Sequence, residues 1–298
     1  MANSLRLRPW RGFLLPWSGM ARDLLPMVRD ALAGRYAVER EIGRGGAARV
    51  FAARTPEGQL VALKVLHPQL TVSVTADRFL REIELVRRLE HPHISRLLDS
   101  GEGDWLIFYV MEFIPGPTLR VHLDRVRRAS ISDTLQIART LLGALACAHR
   151  QNIVHRDVKP ENVVLSETGA VLVDFGIAKA VAEAGMDRLT RSGYTVGTST
   201  YMSPEQIAGA PDIDARTDIY SLGCVLFECL AGRPPYDGGR DDLVLTYHRT
   251  APVPDVRAHR PDTPEPLARV LMRAMAKDRD DRFGSAEAMD AEFLTLAG

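Results

Sequence analysis

Several short stretches of this chain of 298 residues carry side chains that could do chemistry together. In His155-Arg156-Asp157-Val158-Lys159-Pro160-Glu161-Asn162, Asp157 and Asn162 stand five apart, with Lys159 two residues after the acid. A carboxylate can take a hydroxyl proton, a lysine can balance phosphate charge, and an amide oxygen can ligate a hard cation. That set suits phosphoryl transfer. Val173-Asp174-Phe175-Gly176 adds a carboxylate at the end of an expected strand, a second oxygen ligand suited to magnesium. Taken alone, an Asp-x-Gly after a strand serves equally well as an ordinary turn.

Three upstream stretches bear on the same chemistry. Gly43-Arg44-Gly45-Gly46-Ala47-Ala48-Arg49-Val50 lies between two expected strands. Glycines let a backbone approach phosphates closely and present bare N–H groups to an anion. The same loop alone is also a tight hairpin, and a strand rather than a helix comes after it, which separates it from Rossmann and Walker loops. In Val61-Ala62-Leu63-Lys64-Val65, alternation puts Ala62 and Lys64 on one face and Leu63 and Val65 on the other. In the helical stretch 76–89, Glu82 falls inside the apolar stripe of Phe79, Ile83, Val86 and Leu89. A glutamate on a buried face needs a cation, and Lys64 is the unexplained lysine of a neighbouring element. A rim position in water is the competing account of Glu82.

The elements that must position these residues divide the chain in two. Short runs rich in Val, Ile, Leu, Phe and Tyr predict strands over 36–42, 49–54, 60–66 and 105–112. Beyond residue 117 the periodicity is helical, over 132–150, 215–231, 240–250, 265–277 and 285–295, with a small hairpin at 163–165 and 171–173. Strands followed by helices predict an α+β fold of two lobes, a small strand-rich N-lobe (36–112) and a larger helical C-lobe (118–298), with a hinge over 113–117. Residues 1–35 are expected to be an extension, a disordered tail followed by a short helix. Leu24, Leu25, Val28, Ala31 and Leu32 share a face of that helix, and Gly34 stands where a C-terminal cap would.

Composition narrows the function class. Lys plus Arg and Asp plus Glu both number 38, so the charge balance argues against nucleic acid as a partner. Hydrophobic residues at 46% and charged residues at 26% are those of a globular protein with a real core. The longest apolar stretch, 222–230, is broken by Glu228, so no membrane segment is expected. The apolar part of the N-terminus is too short and too proline-broken for a signal peptide. Cys147, Cys224 and Cys229 have no metal-site spacing and read as free thiols of a cytoplasmic protein.

In this order and spacing, the stretches resemble the eukaryotic-type (Hanks-type) serine/threonine protein kinases of bacteria. Further motifs agree. Gly197-Thr198-Ser199-Thr200-Tyr201-Met202-Ser203-Pro204-Glu205 resembles the end of an activation segment. Asp218-Ile219-Tyr220-Ser221-Leu222-Gly223 resembles the start of the central large-lobe helix, and Arg282 stands where a late arginine partners the glutamate. The likeness runs from about Tyr36 to Leu296.

The resemblance implies a kinase domain over 36–298 that transfers the γ-phosphate of ATP to protein Ser/Thr hydroxyls with Mg²⁺, in bacterial signalling. The loop of Gly43, Arg44, Gly45, Gly46, Ala47, Ala48, Arg49 and Val50 would cover the ATP phosphates, and Lys64, paired with Glu82, would bind the α- and β-phosphates. Asp157 would orient the substrate hydroxyl, Lys159 would stabilise the transferred group, and Asn162 and Asp174 would hold magnesium. Met111 would be the gatekeeper, the backbone of Glu112 and Ile114 would read adenine, and Ile42, Val50, Ala62 and Val164 would enclose the ring. Arg156 implies control by phosphorylation at Thr190, Ser192 or Thr195, through a transient homodimer. Two departures stand out: Ala48 replaces a glycine, with weaker nucleotide handling expected, and Ser203 replaces the commoner alanine, with no effect expected. The alternative is a pseudokinase or scaffold that binds nucleotide without turnover.

Overall fold

The computed structural model describes residues 24–45, 48–66, 83–102, 106–175 and 199–295. Their N-terminal part is a five-stranded antiparallel sheet. Its strands are β1 (Ala37–Arg44), β2 (Ala48–Arg54), β3 (Leu60–Leu66), β4 (Leu97–Glu102) and β5 (Ile107–Glu112), in the order β1-β2-β3-β5-β4. Residues opposite one another across such a sheet point to the same face. Gly43, Val50, Lys64 and Tyr109 therefore form one row across four strands, and Ala52, Ala62, Met111 and Leu97 form a second row on the same face. The other face carries Phe51, Ala53, Val61, Leu63, Val65, Phe108 and Val110, all buried.

A helix from upstream of the sheet buries that second face. α1 (Leu25–Ala31) and the residues flanking it place Leu24, Val28 and Leu32 against the sheet's apolar side, each nearly or fully buried. Ala31, expected on the same stripe, is exposed at the last helical position. Gly34 takes the left-handed φ of +80° two residues beyond the helix cap. Arg29 secures the return by donating from Nε to the Val38 carbonyl at 2.7 Å.

β4 was not among the expected strands. Its sequence Leu97-Leu98-Asp99-Ser100-Gly101-Glu102 has almost no β-branched or aromatic content, so propensity is silent. It is held as an edge strand by its ladder with β5, and by Asp99 accepting from Tyr36 Oη at 2.5 Å and Arg35 Nη2 at 2.9 Å. A Cβ at Gly101 would lie 2.9 Å from Arg35 Nη1 and 3.1 Å from the Phe108 ring, so a larger residue there would make those side chains shift.

After the hinge come α2 (Leu119–Val126) and α3 (Ile131–His149), then β6 (Val163–Ser166) and β7 (Gly169–Leu172). The chain continues through α4 (Pro204–Ile207), α5 (Arg216–Ala231), α6 (Asp241–Thr250), α7 (Glu265–Ala274) and α8 (Ala286–Thr295). The fold is α+β with two lobes, a small strand-rich one and a larger helical one. α2 escaped the periodicity reading because only Leu119 and Leu123 are buried in it; Thr118 Oγ1 caps its start. α5 is buried all round from Thr217 to Ala231 and forms the axis of the C-lobe core.

The hinge is pinned at Gly116, which has φ of +138°. A Cβ there would lie 2.0 Å from the Leu165 carbonyl oxygen, and Leu165 N donates to the Pro117 carbonyl at 2.9 Å. Only glycine lets the connecting strand pass this close to β6. Cys224 and Cys229 lie inside α5, where burial pushes both thiols up to about 12, so they are inert.

Candidate active site

The loop between α3 and β6 is hung from one carboxylate. Asp218, fully buried near the start of α5, accepts from the backbone N–H groups of His155 and Arg156 at 2.8 Å each, and lies 2.8 Å from His149 Nε2. Burial alone would raise its pKa, but the His149 contact and the backbone donors hold it below the ordinary carboxylate range. Arg156 is thereby fixed at φ +65°, and its carbonyl accepts from Gln206 Nε2 at 2.8 Å. The buried His155 ring lies edge-on to Phe175, with its Nε2 3.0 Å from the Val173 carbonyl.

That scaffold brings the catalytic-type side chains together. Lys159 Nζ lies 2.7 Å from Asp157 Oδ2, and Asn162 Nδ2 donates to the same oxygen at 2.9 Å and to the Asp157 carbonyl at 2.8 Å. Both side-chain donors fall on Oδ2, so Oδ1 of Asp157 has no protein donor among the described residues. Val173 N donates to the Asn162 carbonyl at 3.0 Å, which ties this loop to the strand end that carries Asp174.

Asp174 has φ of +67°, and its side chain is 12% exposed. Lys64 Nζ reaches its Oδ2 at 2.8 Å, and the Tyr109 hydroxyl donates to its Oδ1 at 3.0 Å. Burial favours the neutral acid, but the Lys64 ammonium and the Tyr109 hydroxyl outweigh it and hold the carboxyl below its usual range. Glu82, expected as the partner of Lys64, lies outside the described residues; the described partner of Lys64 is Asp174. The remainder of its stripe, Ile83, Val86 and Leu89, is buried.

The expected adenine and phosphate positions are spread over β1, β2, β3, β5, the residues just after β5, and β6. Ala62, Met111 and Val164 are nearly buried, Val50 is half-buried and Ile42 is exposed. Gly43 and Gly45 are described; Gly46 and Ala47 fall outside the described residues. Arg44 and Arg49 both pair with Glu41, at 2.8 and 3.0 Å. Ala48 is the first residue of β2, opposite Leu66, and its carbonyl accepts from Gly45 N at 2.9 Å. At the hinge, the N–H of Glu112 donates to the Arg96 carbonyl at 2.9 Å, and its carbonyl accepts from Ser95 Oγ at 3.1 Å. The Ile114 main chain has no protein partner among the described residues.

Thr190, Ser192, Thr195 and Thr198 lie outside the described residues, but the segment from Ser199 onward is firmly held. Arg120 gathers Glu228 at 2.8 Å, Glu161 at 3.0 Å and the Tyr201 hydroxyl at 2.5 Å, joining α2, the catalytic-type loop and α5. Arg282, its side chain fully buried, grips Glu205 through two bonds of 2.7 and 2.8 Å. The Ser203 departure is not inert: its Oγ accepts from Gln206 N and meets Thr217 Oγ1 at 3.2 Å, closing a capping box at the start of α4. An alanine there would lose the cap.

Sequence reasoning left out Tyr109 and the anchoring bonds of Asp218. For Tyr109 a signal was present, since strand alternation across β3 and β5 puts it on the Lys64 face. The Asp218 bonds run to residues 62 and more positions away, and no local pattern shows them.

Comparison with known proteins agrees with this geometry. The chain is 38% identical over 278 residues to the probable serine/threonine-protein kinase PknB of Bifidobacterium longum, covering 89% of this chain. It is 40% identical over 278 residues to the serine/threonine-protein kinase PknB of Mycolicibacterium smegmatis, and 38% over 268 residues to the serine/threonine-protein kinase PknD of Mycobacterium tuberculosis, again covering 89% of this chain in each case. It spans 40 to 43% of the length of these curated relatives. The family profile described as "Protein kinase domain" matches residues 36–294. That match runs from the residue before β1 into the last helix, through both lobes and all the segments that meet at the cleft, so the chain belongs to the protein kinase domain family.

Proposed function

We propose that the chain is a serine/threonine protein kinase that moves the γ-phosphate of ATP to Ser or Thr hydroxyls of proteins, itself included, in bacterial cytoplasmic signalling. The observation that carries this reading is the convergence of Lys64, Asp174, Asn162, Asp157 and Lys159 through bonds of 2.7 to 3.0 Å from both lobes. The donor set fits a hard cation: the Asp174 carboxylate and the Asn162 amide oxygen are oxygen ligands, and magnesium takes few protein ligands beside phosphates. Bound there with ATP, Mg²⁺ would draw charge off the transferred phosphoryl group.

The protein's own part is positioning and charge. Asp157 Oδ1 accepts the proton of the incoming hydroxyl, while Lys159 and Asn162 fix the carboxylate by its other oxygen. Lys64 swings between Asp174 and the phosphates of the nucleotide, and Lys159 stabilises the group in flight. Ala62, Met111 and Val164 enclose adenine, and the Ile114 main chain reads its edge. Arg156 supports loop control: its Nε is buried with no hydrogen-bond partner among the described residues, which suits a phosphate from Thr190 or Ser192.

The test is incubation with labelled ATP and Mg²⁺ beside an Asp174→Ala control, followed by mass-spectrometric mapping. Phosphate on Thr190 or Ser192, absent from the control, is the expected result. Nucleotide binding with no transfer to the chain or to a generic basic protein would overturn the reading in favour of a pseudokinase.

A further inference from the structure

The cleft face of the sheet is apolar at Ala62 and Met111, yet it carries a phenol at Tyr109. This side chain is fully buried, in a five-stranded sheet whose β5 is an inner strand, flanked by Lys64 on β3 and Ser100 on β4. A buried hydroxyl needs a hydrogen-bond partner, and this one spans from the N-lobe to Asp174 Oδ1 at 3.0 Å. Its cross-strand neighbour Lys64 takes Oδ2 at 2.8 Å, with Nζ 5.8 Å from the tyrosine ring centroid. Two adjacent strands thus grip the two oxygens of one carboxylate.

The grip has something to hold. Asp174 has a left-handed φ of +67°, a conformation that residues other than glycine adopt at an energetic cost and keep only where the surroundings enforce it. On its C-lobe side, the backbone of Val173 is bonded to His155 and Asn162, so the main chain is fixed before Asp174 and the side chain is fixed beyond it. Lys64 is a mobile ammonium on a flexible stem and has nucleotide phosphates to attend to. Tyr109 is a rigid ring in a strand, and its hydroxyl cannot follow the nucleotide.

We propose that Tyr109 is a positioning residue for the metal ligand Asp174. Its hydroxyl holds one carboxylate oxygen in the cleft-facing orientation while Lys64 exchanges between carboxylate and phosphate. The hydroxyl acts through Asp174 and touches neither nucleotide nor acceptor. This inference rests on the reading of Asp174 as a metal ligand.

The experiment measures nucleotide affinity by calorimetry, with ADP alone and with ADP plus Mn²⁺, for the unaltered chain, Tyr109→Phe, Asp174→Asn and the double variant. Tyr109→Phe keeps the ring and removes the hydroxyl; a thermal melt establishes that it is folded, and Tyr109→Leu serves as the second variant if it is not. Loss of one bond to a charged group predicts about a tenfold reduction in the Mn²⁺-dependent gain in affinity, with metal-free ADP binding unchanged. In the Asp174→Asn background the same change is expected to do nothing further to the metal-dependent gain, because the proposed role runs through that carboxylate. A metal-dependent gain that Tyr109→Phe leaves equal or makes larger, while Asp174→Asn abolishes it, overturns the role of Tyr109 alone. A gain untouched by Asp174→Asn overturns the reading of the metal site itself.

Discussion

Replacing Asp218 by asparagine tests whether one buried carboxylate holds the catalytic-type loop. The carboxylate receives three donors, two on Oδ2 and one on Oδ1, each at 2.8 Å. An asparagine has one acceptor and one donor end. Turned to keep His149 and the His155 N–H, it sets its NH₂ against the N–H of Arg156; turned the other way, it keeps only Arg156. The better arrangement still leaves one buried N–H unpaired, at about 1–3 kcal/mol. The two surviving bonds also lose their charge assistance, roughly 1 kcal/mol each. The total is about 3–5 kcal/mol, a large share of the roughly 5–15 kcal/mol that hold a domain together. Urea denaturation at pH 7 reads it as a fall in midpoint at unchanged slope. Because Arg156 loses its tether, phosphate transfer is expected to fall further than the folded fraction does. A midpoint shift worth less than about 1 kcal/mol, with transfer intact, would refute the claim that this carboxylate suspends the loop.

Two other perturbations have outcomes fixed by the geometry. His248 is fully buried, lies 2.8 Å from the Tyr220 hydroxyl and 2.9 Å from the Thr200 carbonyl, and has the Lys277 ammonium and the Tyr236 ring beside it. Burial first, then Lys277, lowers its pKa to about 4. Unfolded chains bind its proton below about 6.5, so stability is complete above that pH and declines by about 3 kcal/mol as the pH falls toward 4. Urea melts at pH 7 and pH 5 should show the loss, and His248→Gln should flatten that part of the profile; an unchanged slope would exclude His248 as its source. Gly116→Ala forces a methyl into the Leu165 carbonyl at a φ that L-residues avoid. A cost of about 3 kcal/mol or more lowers Tm by about 10 °C, readable by thermal scanning, and a melt within a degree or two of the unaltered chain would contradict the close hinge contact.

The chemistry was legible in the sequence because its residues sit in compact local patterns whose geometry is short-range. From Asp157 to Asn162 the loop is six residues long, and its internal bonds, including that of Lys159 to Asp157, arise from that proximity. Strand alternation alone put Lys64 and Ala62 on one face of β3, and in the structure that face also carries Tyr109 and Met111. Most of the features that the sequence did not disclose are non-local. β4 exists because Asp99 finds Tyr36 and Arg35, more than sixty residues upstream. The capping role of Ser203 is the local exception: it stands three residues before Gln206, the spacing of a capping box. Arg44 and Arg49, read as parts of the phosphate loop, share Glu41, and the pairing of Arg49 with it is visible only once β1 and β2 are set in register.

The helix that lies on the outer side of the sheet changes what should count as one folding unit. The family match opens at Tyr36, yet Leu24, Val28 and Leu32 before it are as well buried as the core of the sheet they cover. Burying three leucine- or valine-sized side chains is worth roughly 5–9 kcal/mol, and removing them also bares Phe51, Leu63 and Phe108 of the same cluster. A fragment cut at the family boundary would keep every residue of the cleft and present a wet, sticky apolar plane above it. Such fragments tend to associate through that plane, so a dimer formed by a trimmed chain would report on the cut rather than on signalling.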